Sequence, residues 1–250
     1  RYSEHDVDRV LWLKARLAEG YRIGEAASLL GSESDETATS PTQLARLIFQ
    51  AATRSETSAV NRLLDHAFAG DLAESCREVI SPLLVEIGEA WHNGTMSIAQ
   101  EHLVTAAIRA RLERKLAEAR AAVHGRAVLA CAPGEHHELG LLMLAVLLRA
   151  DGWDVAYLGP NTPVADAFQL AGESSARIIC FSIGTATSAQ AFAAELAAVE
   201  RRPDGLALLL GGRAATPMLA ARVGAEHLDG DVEAVVARLR GPVQSVVAAG

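Results

Sequence analysis

A change of hydrophobic period at Gly125 constrains this chain more than any other feature. Beyond it lie short apolar runs at Ala127–Ala132, Val155–Leu158, Ile178–Phe181 and Leu206–Leu210, with a shorter one near Glu226–Leu228. Helical stretches separate them, the last from Val232 to Leu239. Strands buried on both faces read as unbroken apolar runs, and their alternation with helices calls for a parallel sheet covered on each side. Residues 126–240 are therefore expected to form an α/β domain on a five-stranded parallel sheet, with ligands beyond the carboxyl ends of its strands.

Before Gly125 the period is helical throughout. Ser40-Pro41-Thr42-Gln43 combines an N-cap, a proline in the first turn and a Gln at the third position, ahead of Leu44, Leu47, Ile48 and Ala51 on one face. A second helix is expected over about 56–68, closed by Gly70. A third opens at Asp71-Leu72-Ala73-Glu74 and reaches Trp91-His92, with a kink or break at Pro82. Asn93-Gly94 stops it, and Ser97-Ile98-Ala99-Gln100 opens a fourth that runs to about residue 120. Residues 41–120 thus read as an antiparallel four-helix bundle. Residues 1–30 read as a helical hairpin, with Ser3 and Asp6 as a capping box and Gly20 between the helices; residues 31–40, GSESDETATS, read as an acidic linker. The whole is α/β plus all-α.

With 50% hydrophobic and 22% charged residues the chain can bury a sizeable core, and no window of 18 or more apolar residues suggests a membrane span. A net charge of −8 speaks against the chain as a whole coating nucleic acid non-specifically. Three scattered cysteines, Cys76, Cys131 and Cys180, form no zinc ribbon or disulfide framework, and the last two lie in apolar runs where thiols are inert. A cytoplasmic setting is expected. Because the first residue is Arg1, the sequence is expected to be a fragment or a trimmed product.

The stretch GEHHELG, residues 134–140, follows the first predicted strand and so lies at the ligand edge of the sheet. It is no phosphate loop, since it matches neither GxxxxGK[ST] nor GxGxxG. Its spacing leaves two readings open: a polar loop whose Glu caps the next helix, or a loop that ligates a metal. The order Glu135-x-His137-x-x-Gly140 resembles the Asp/Glu-x-His-x-x-Gly signature of cobalamin-binding Rossmann-like (flavodoxin-like) domains. The resemblance implies His137 as the lower axial ligand of cobalt and Glu135 as the acceptor that fixes its tautomer. It implies that Gly140 lets the helix start approach the loop and leaves room for the nucleotide tail. Ser182 stands where the family has Ser-x-Leu, and Gly211-Gly212 where it has a Gly-Gly pair beside the tail. The departure is Ser182-Ile183-Gly184, which lacks the Leu.

Trp91, nine residues, then Glu101-His102 resembles the W-x9-EH motif of the CarH/LitR-type B12 photoreceptors, light-responsive transcriptional regulators of the MerR family. Residues 1–30 are similar to the second half of a MerR-type DNA-binding domain, so operator binding by these residues alone is not expected. The resemblance implies adenosylcobalamin as cofactor, with Trp91, Glu101 and His102 around its adenosyl group and His92 as an upper cobalt ligand after photolysis. It implies a switch rather than an enzyme. A dark homo-oligomer binds operator DNA and represses, and light cleaves the cobalt–carbon bond and disassembles it. That oligomer would be a tetramer, or a dimer, since His136 and Asn161 stand where the family has charged contact residues. Two rivals share parts of the pattern: a corrinoid carrier protein of a methyltransferase system, and a cobalamin-free flavodoxin-like interaction domain. The basic run Arg109, Arg111, Arg114 and Lys115 reads as a solvated helix face.

Overall fold

A computed structural model of the chain describes residues 40–118 and 121–241, together with residues 10, 13–14, 16–17 and 22–24. The chain divides into two compact units, Arg1–Leu44 and Ala45–Gly250. Of the first, residues 10, 13–14, 16–17 and 23–24 are helical; the rest of the expected hairpin and nearly all of the linker lie outside the described residues. The second unit comprises a helical part and an α/β part.

The helical part, whose first helix begins at the end of the preceding unit, contains α1 (Pro41–Thr53), α2 (Thr57–Ala67), α3 (Ser81–His92) and α4 (Ile98–Leu116). Ser40 Oγ accepts from the Gln43 N–H at 3.3 Å, Asp71 caps the turn Leu72–Glu74 through the Glu74 N–H at 2.8 Å, and Ser97 with Gln100 forms a reciprocal capping box. Such caps satisfy donors that a helix start leaves free. The kink or break expected at Pro82 is not a break. Residues 72–92 stay helical because a π-helical turn, Ser75–Ile80, precedes α3 and places Pro82 in its first turn, where a missing N–H costs little. Val60 and Leu64 of α2, Leu83 and Ile87 of α3, and Val104, Ile108 and Leu112 of α4 are buried at helical spacing.

The basic run on α4 is not simply a solvated face. Arg111 is buried and joins α4 to α2, donating to Asp65 Oδ1 at 2.8 Å and to the Asn61 carbonyl at 2.9 Å. Arg109 is also paired, with Glu138.

The α/β part runs β1 (Arg126–Cys131), α5 (Leu139–Ala150), β2 (Asp154–Gly159), α6 (Val164–Glu173), β3 (Ile178–Ser182), α7 (Ala186–Ala197), β4 (Ala207–Gly211), α8 (Pro217–Val223), β5 (Glu226–His227) and α9 (Val232–Leu239). All strands are parallel, in the order β2-β1-β3-β4-β5. The order reverses between β1 and β3, so the loops after these two strands flank the crevice where ligands of such sheets sit. Side chains of one strand parity, among them Val128, Ile179, Phe181 and Leu210, meet Phe168 of α6 and Phe192 of α7, with Phe181 and Phe192 ring centres 4.9 Å apart. The opposite face is covered by α5, whose residues 141–148 are all buried, because sheet, α9 and α4 surround it. Cys76, Cys131 and Cys180 are free and buried, and burial pushes each thiol up to about 12. No helix among the described residues is long and apolar enough to cross a membrane.

Candidate functional site

After β1 the chain crosses the carboxyl edge of the sheet. Asn161 holds the backbone there, since its Oδ1 accepts from the Gly134 N–H at 2.8 Å and its own N–H donates to the Glu135 carbonyl at 2.9 Å. Glu135 then turns inward and is only 1% exposed. Its Oε1 meets the His137 N–H at 2.9 Å and the ring Nδ1 at 2.6 Å; its Oε2 accepts from the Gly184 N–H at 2.6 Å and from Ser188 Oγ at 3.1 Å. Burial alone would raise this carboxyl, but the donors from His137, Gly184 and Ser188 outweigh it and lower it to about 2. An ionised carboxylate only accepts, so in the neutral imidazole it is Nδ1 of His137 that carries the proton and Nε2 that keeps the lone pair. That Nε2 has no hydrogen-bond partner among the described residues, and the side chain is 80% exposed. The loop therefore presents a single oriented imidazole donor on a buried anionic support.

Glu138 does not do what a capping Glu would. It occupies the N-cap of α5 but its side chain makes no cap hydrogen bond. Instead its Oε1 pairs with Arg109 Nη2 of α4 at 2.8 Å, and its Oε2 accepts from the Tyr157 hydroxyl at 2.7 Å. Burial, followed by this carboxylate, pushes the Tyr157 hydroxyl up, so it remains a donor.

Two cavities open beside the loop. The larger, about 630 Å³, is lined from the helical side by Trp91, Ile98, Glu101, His102 and Thr105 and from the sheet side by His136, His137 and Gly140. The smaller, about 180 Å³, is lined by Gly140, Ser182, Gly211, Gly212 and apolar side chains of α5 and α9. Gly140 lines both. A Cβ at Gly140 would have open space around it, so close approach of helix and loop does not account for this glycine, which borders both cavities. Gly212 is different. With φ of +97° it lies in the left-handed region, and a Cβ would come within 2.6 Å of the Ile183 carbonyl, so glycine lets the β4 loop press on the end of β3. The glycine at 184 also has a steric cause. A Cβ there would sit 2.7 Å from Glu135 Oε2, so the carboxylate occupies the space a leucine would need.

On the helical side Trp91 is 51% exposed and so is no core residue. Glu101 and His102 touch each other, Oε2 to Nδ1 at 2.5 Å. His92, the last residue of α3, is exposed and does not line the cavity. Sequence reasoning did not place Thr105 and Arg109 at the site, although they follow Glu101 at i+4 and i+8 on one face of α4; that spacing was the available signal. It also missed Ser188, whose approach to Glu135 no local pattern announces.

No group of three or more His, Cys, Asp or Glu that could hold a metal ion occurs among the described residues. A lone imidazole suits a metal whose equatorial positions are already filled by a macrocycle. A corrinoid fits these residues: the ring of His137 held by Glu135, a broad, largely apolar cavity that His137 lines, and a narrower cavity, also bordered by Gly140, with room for a tail.

Family models agree with that chemistry. Two, each described as a B12 binding domain, match residues 125–239 and residues 44–115. The chain is 35% identical over 229 residues to the HTH-type transcriptional repressor CarH of Myxococcus xanthus, covering 86% of this chain and 77% of that protein. It is 31% identical over 240 residues to the HTH-type transcriptional repressor CarA of the same organism, covering 94% and 81%. Among solved structures, the monomethylamine corrinoid protein of Methanosarcina barkeri aligns with a TM-score of 0.60 at 16% identity, over 77% of this chain and 94% of that one, a likeness of fold.

Proposed function

Because this chain belongs to the CarH-like family of B12-binding, HTH-type transcriptional repressors, we propose that it is a light-responsive regulator that uses adenosylcobalamin as its sensor. One observation carries the reading above all: Trp91, Glu101 and His102 line the same cavity as His137, whose ring is held by buried Glu135.

When bound, adenosylcobalamin supplies a cobalt–carbon bond that visible light breaks. The chain's own residues do the rest. His137 would offer Nε2 to the cobalt, with Glu135 keeping its ring oriented and its tautomer fixed. Ser182, Gly211 and Gly212 line the smaller cavity, which would take the tail. Trp91 gives a flat apolar wall, while Glu101 and His102 give hydrogen-bonding groups suited to a sugar and a base. A site built to hydrogen-bond an adenosyl group penalises a ligand that lacks it, which favours adenosylcobalamin over methylcobalamin.

The switch follows from the exposure of the upper wall. Without an upper group to pack on, Trp91 loses its partner surface. His92, which does not line the cavity, would be a candidate ligand for the cobalt in the illuminated form, and would need α3 to move to reach it. Different affinities for two bundle positions are what allow a ligand to drive such a change. The dark form is a homo-oligomer that represses by holding operator DNA through its N-terminal part, and illumination separates it. On this reading the chain acts as a regulator and not as an enzyme.

Size-exclusion chromatography with absorption detection tests the proposal on adenosylcobalamin-loaded protein, in darkness and after green light. A larger dark species that shrinks on illumination with a change of spectrum is expected. Bound cofactor with no change of size would point instead to a corrinoid carrier protein.

A further inference from the structure

We propose that Arg109 is a positioning residue that couples the helical bundle to the orientation of His137, acting through Glu138 and Tyr157. In its cofactor arm this inference rests on the reading of His137 given above; in its structural arm it does not.

His137 lies between two anchored carboxylates, and the anchors have different owners. Glu135 is held entirely within the α/β part, by Gly184 and Ser188. Glu138 is held by Tyr157 of β2 on one oxygen and by Arg109 of α4 on the other. The Glu138 side chain is only 9% exposed, whereas that of Arg109 is 43% exposed. A nearly buried carboxylate without its counter-charge is costly, so the pair constrains the Glu138 side far more than the arginine side. The carboxylate is also free of helix-capping duty, because it makes no cap hydrogen bond in α5.

Arg109 sits eight residues beyond Glu101 on the same helix and lines the same cavity. Any displacement of α4 that accompanies a change above His137 must therefore either break the Arg109–Glu138 contact or pull on the residue next to His137. The lower ligand and the upper wall are thus mechanically joined by one charged contact, in addition to the apolar packing of α4 on α5. An arginine is suited to this role, since its rigid fork reaches a carboxylate while its stem lies along apolar surface.

The test is amide hydrogen exchange on the ligand-free protein, comparing wild type with Arg109→Gln, Arg109→Lys and Tyr157→Phe. Arg109→Gln should speed exchange of the amides at 135–139 about tenfold, with β1 and α2 unchanged. Arg109→Lys should recover most of the protection, and Tyr157→Phe should fall between. Loop exchange equal to wild type in Arg109→Gln, or acceleration spread evenly over the whole protein, would overturn the coupling. A second arm titrates adenosylcobalamin in the dark and reads the absorption spectrum. Arg109→Gln should bind about tenfold more weakly with an altered spectrum, and unchanged binding would remove the link to His137. Wild type failing to bind would sink the cobalamin reading alone, because the exchange data decide the coupling independently.

Discussion

The two walls of the large cavity are built on opposite terms. Below, Glu135 is buried and holds the His137 ring and backbone as well as the Gly184 amide and the Ser188 hydroxyl. Above, Trp91 stands half in solvent, the ring of His102 is 73% exposed, and among the described residues the Glu101 carboxylate pairs only with that ring. The lower wall is held by contacts within the protein, whereas the upper wall presents exposed side chains. A preformed donor keeps a cofactor in place through a cycle, whereas a wall that needs the ligand for its packing can report the ligand's loss.

Substitutions can break this contrast, and their effects should fall in a fixed order. Glu135→Ala comes first. It strips partners from Gly184, Ser188 and His137 at once, so urea unfolding of the ligand-free protein should show a loss of about 3 kcal/mol or more. His137→Ala comes second and separates support from donor. Its ring is mostly exposed but donates to the buried Glu135, so stability should fall by about 1 kcal/mol, well short of Glu135→Ala, while cobalamin affinity falls about a hundredfold, seen as loss of colour on gel filtration. Unchanged retention would remove His137 as a required ligand.

The upper wall should respond more mildly. Trp91→Ala should leave the melting temperature of the ligand-free protein nearly unchanged, because the indole is already half exposed. It should nonetheless weaken dark assembly about tenfold by sedimentation. A large loss of stability would mean that the upper wall is as built as the lower. His92→Ala should be the quietest, with dark spectrum and dark assembly like wild type and a light-state spectrum that differs; an unaltered light-state spectrum would end its role as a ligand.

The sequence carried the sheet well because its signal is local. Each predicted strand lies within a residue or two of the observed one, from Arg126–Cys131 to Glu226–His227. Caps at Ser40, Asp71 and Ser97 were likewise legible, since each is a contact three residues along the chain. What escaped was long-range. Glu135 meets Gly184 and Ser188 across 49 and 53 residues, and Arg111 meets Asn61 across 50. No periodicity encodes such pairings, so Arg111 read as solvated and Gly184 as a mere departure from a motif. The π turn before Pro82 escaped for another reason. A proline announces a lost donor but not how the helix absorbs it.

The cofactor role proposed for the lower wall depends on His137 supplying a ligand of cobalt, and electron paramagnetic resonance reads that bond itself. The protein is loaded with cob(II)alamin, once with natural histidine and once after growth on ¹⁵N-histidine. The nitrogen splitting of the cobalt signal should change from a triplet to a doublet on labelling, and His137→Ala should abolish the doublet. A triplet that survives labelling would mean that the cofactor's own base remains on cobalt and that His137 is not its ligand.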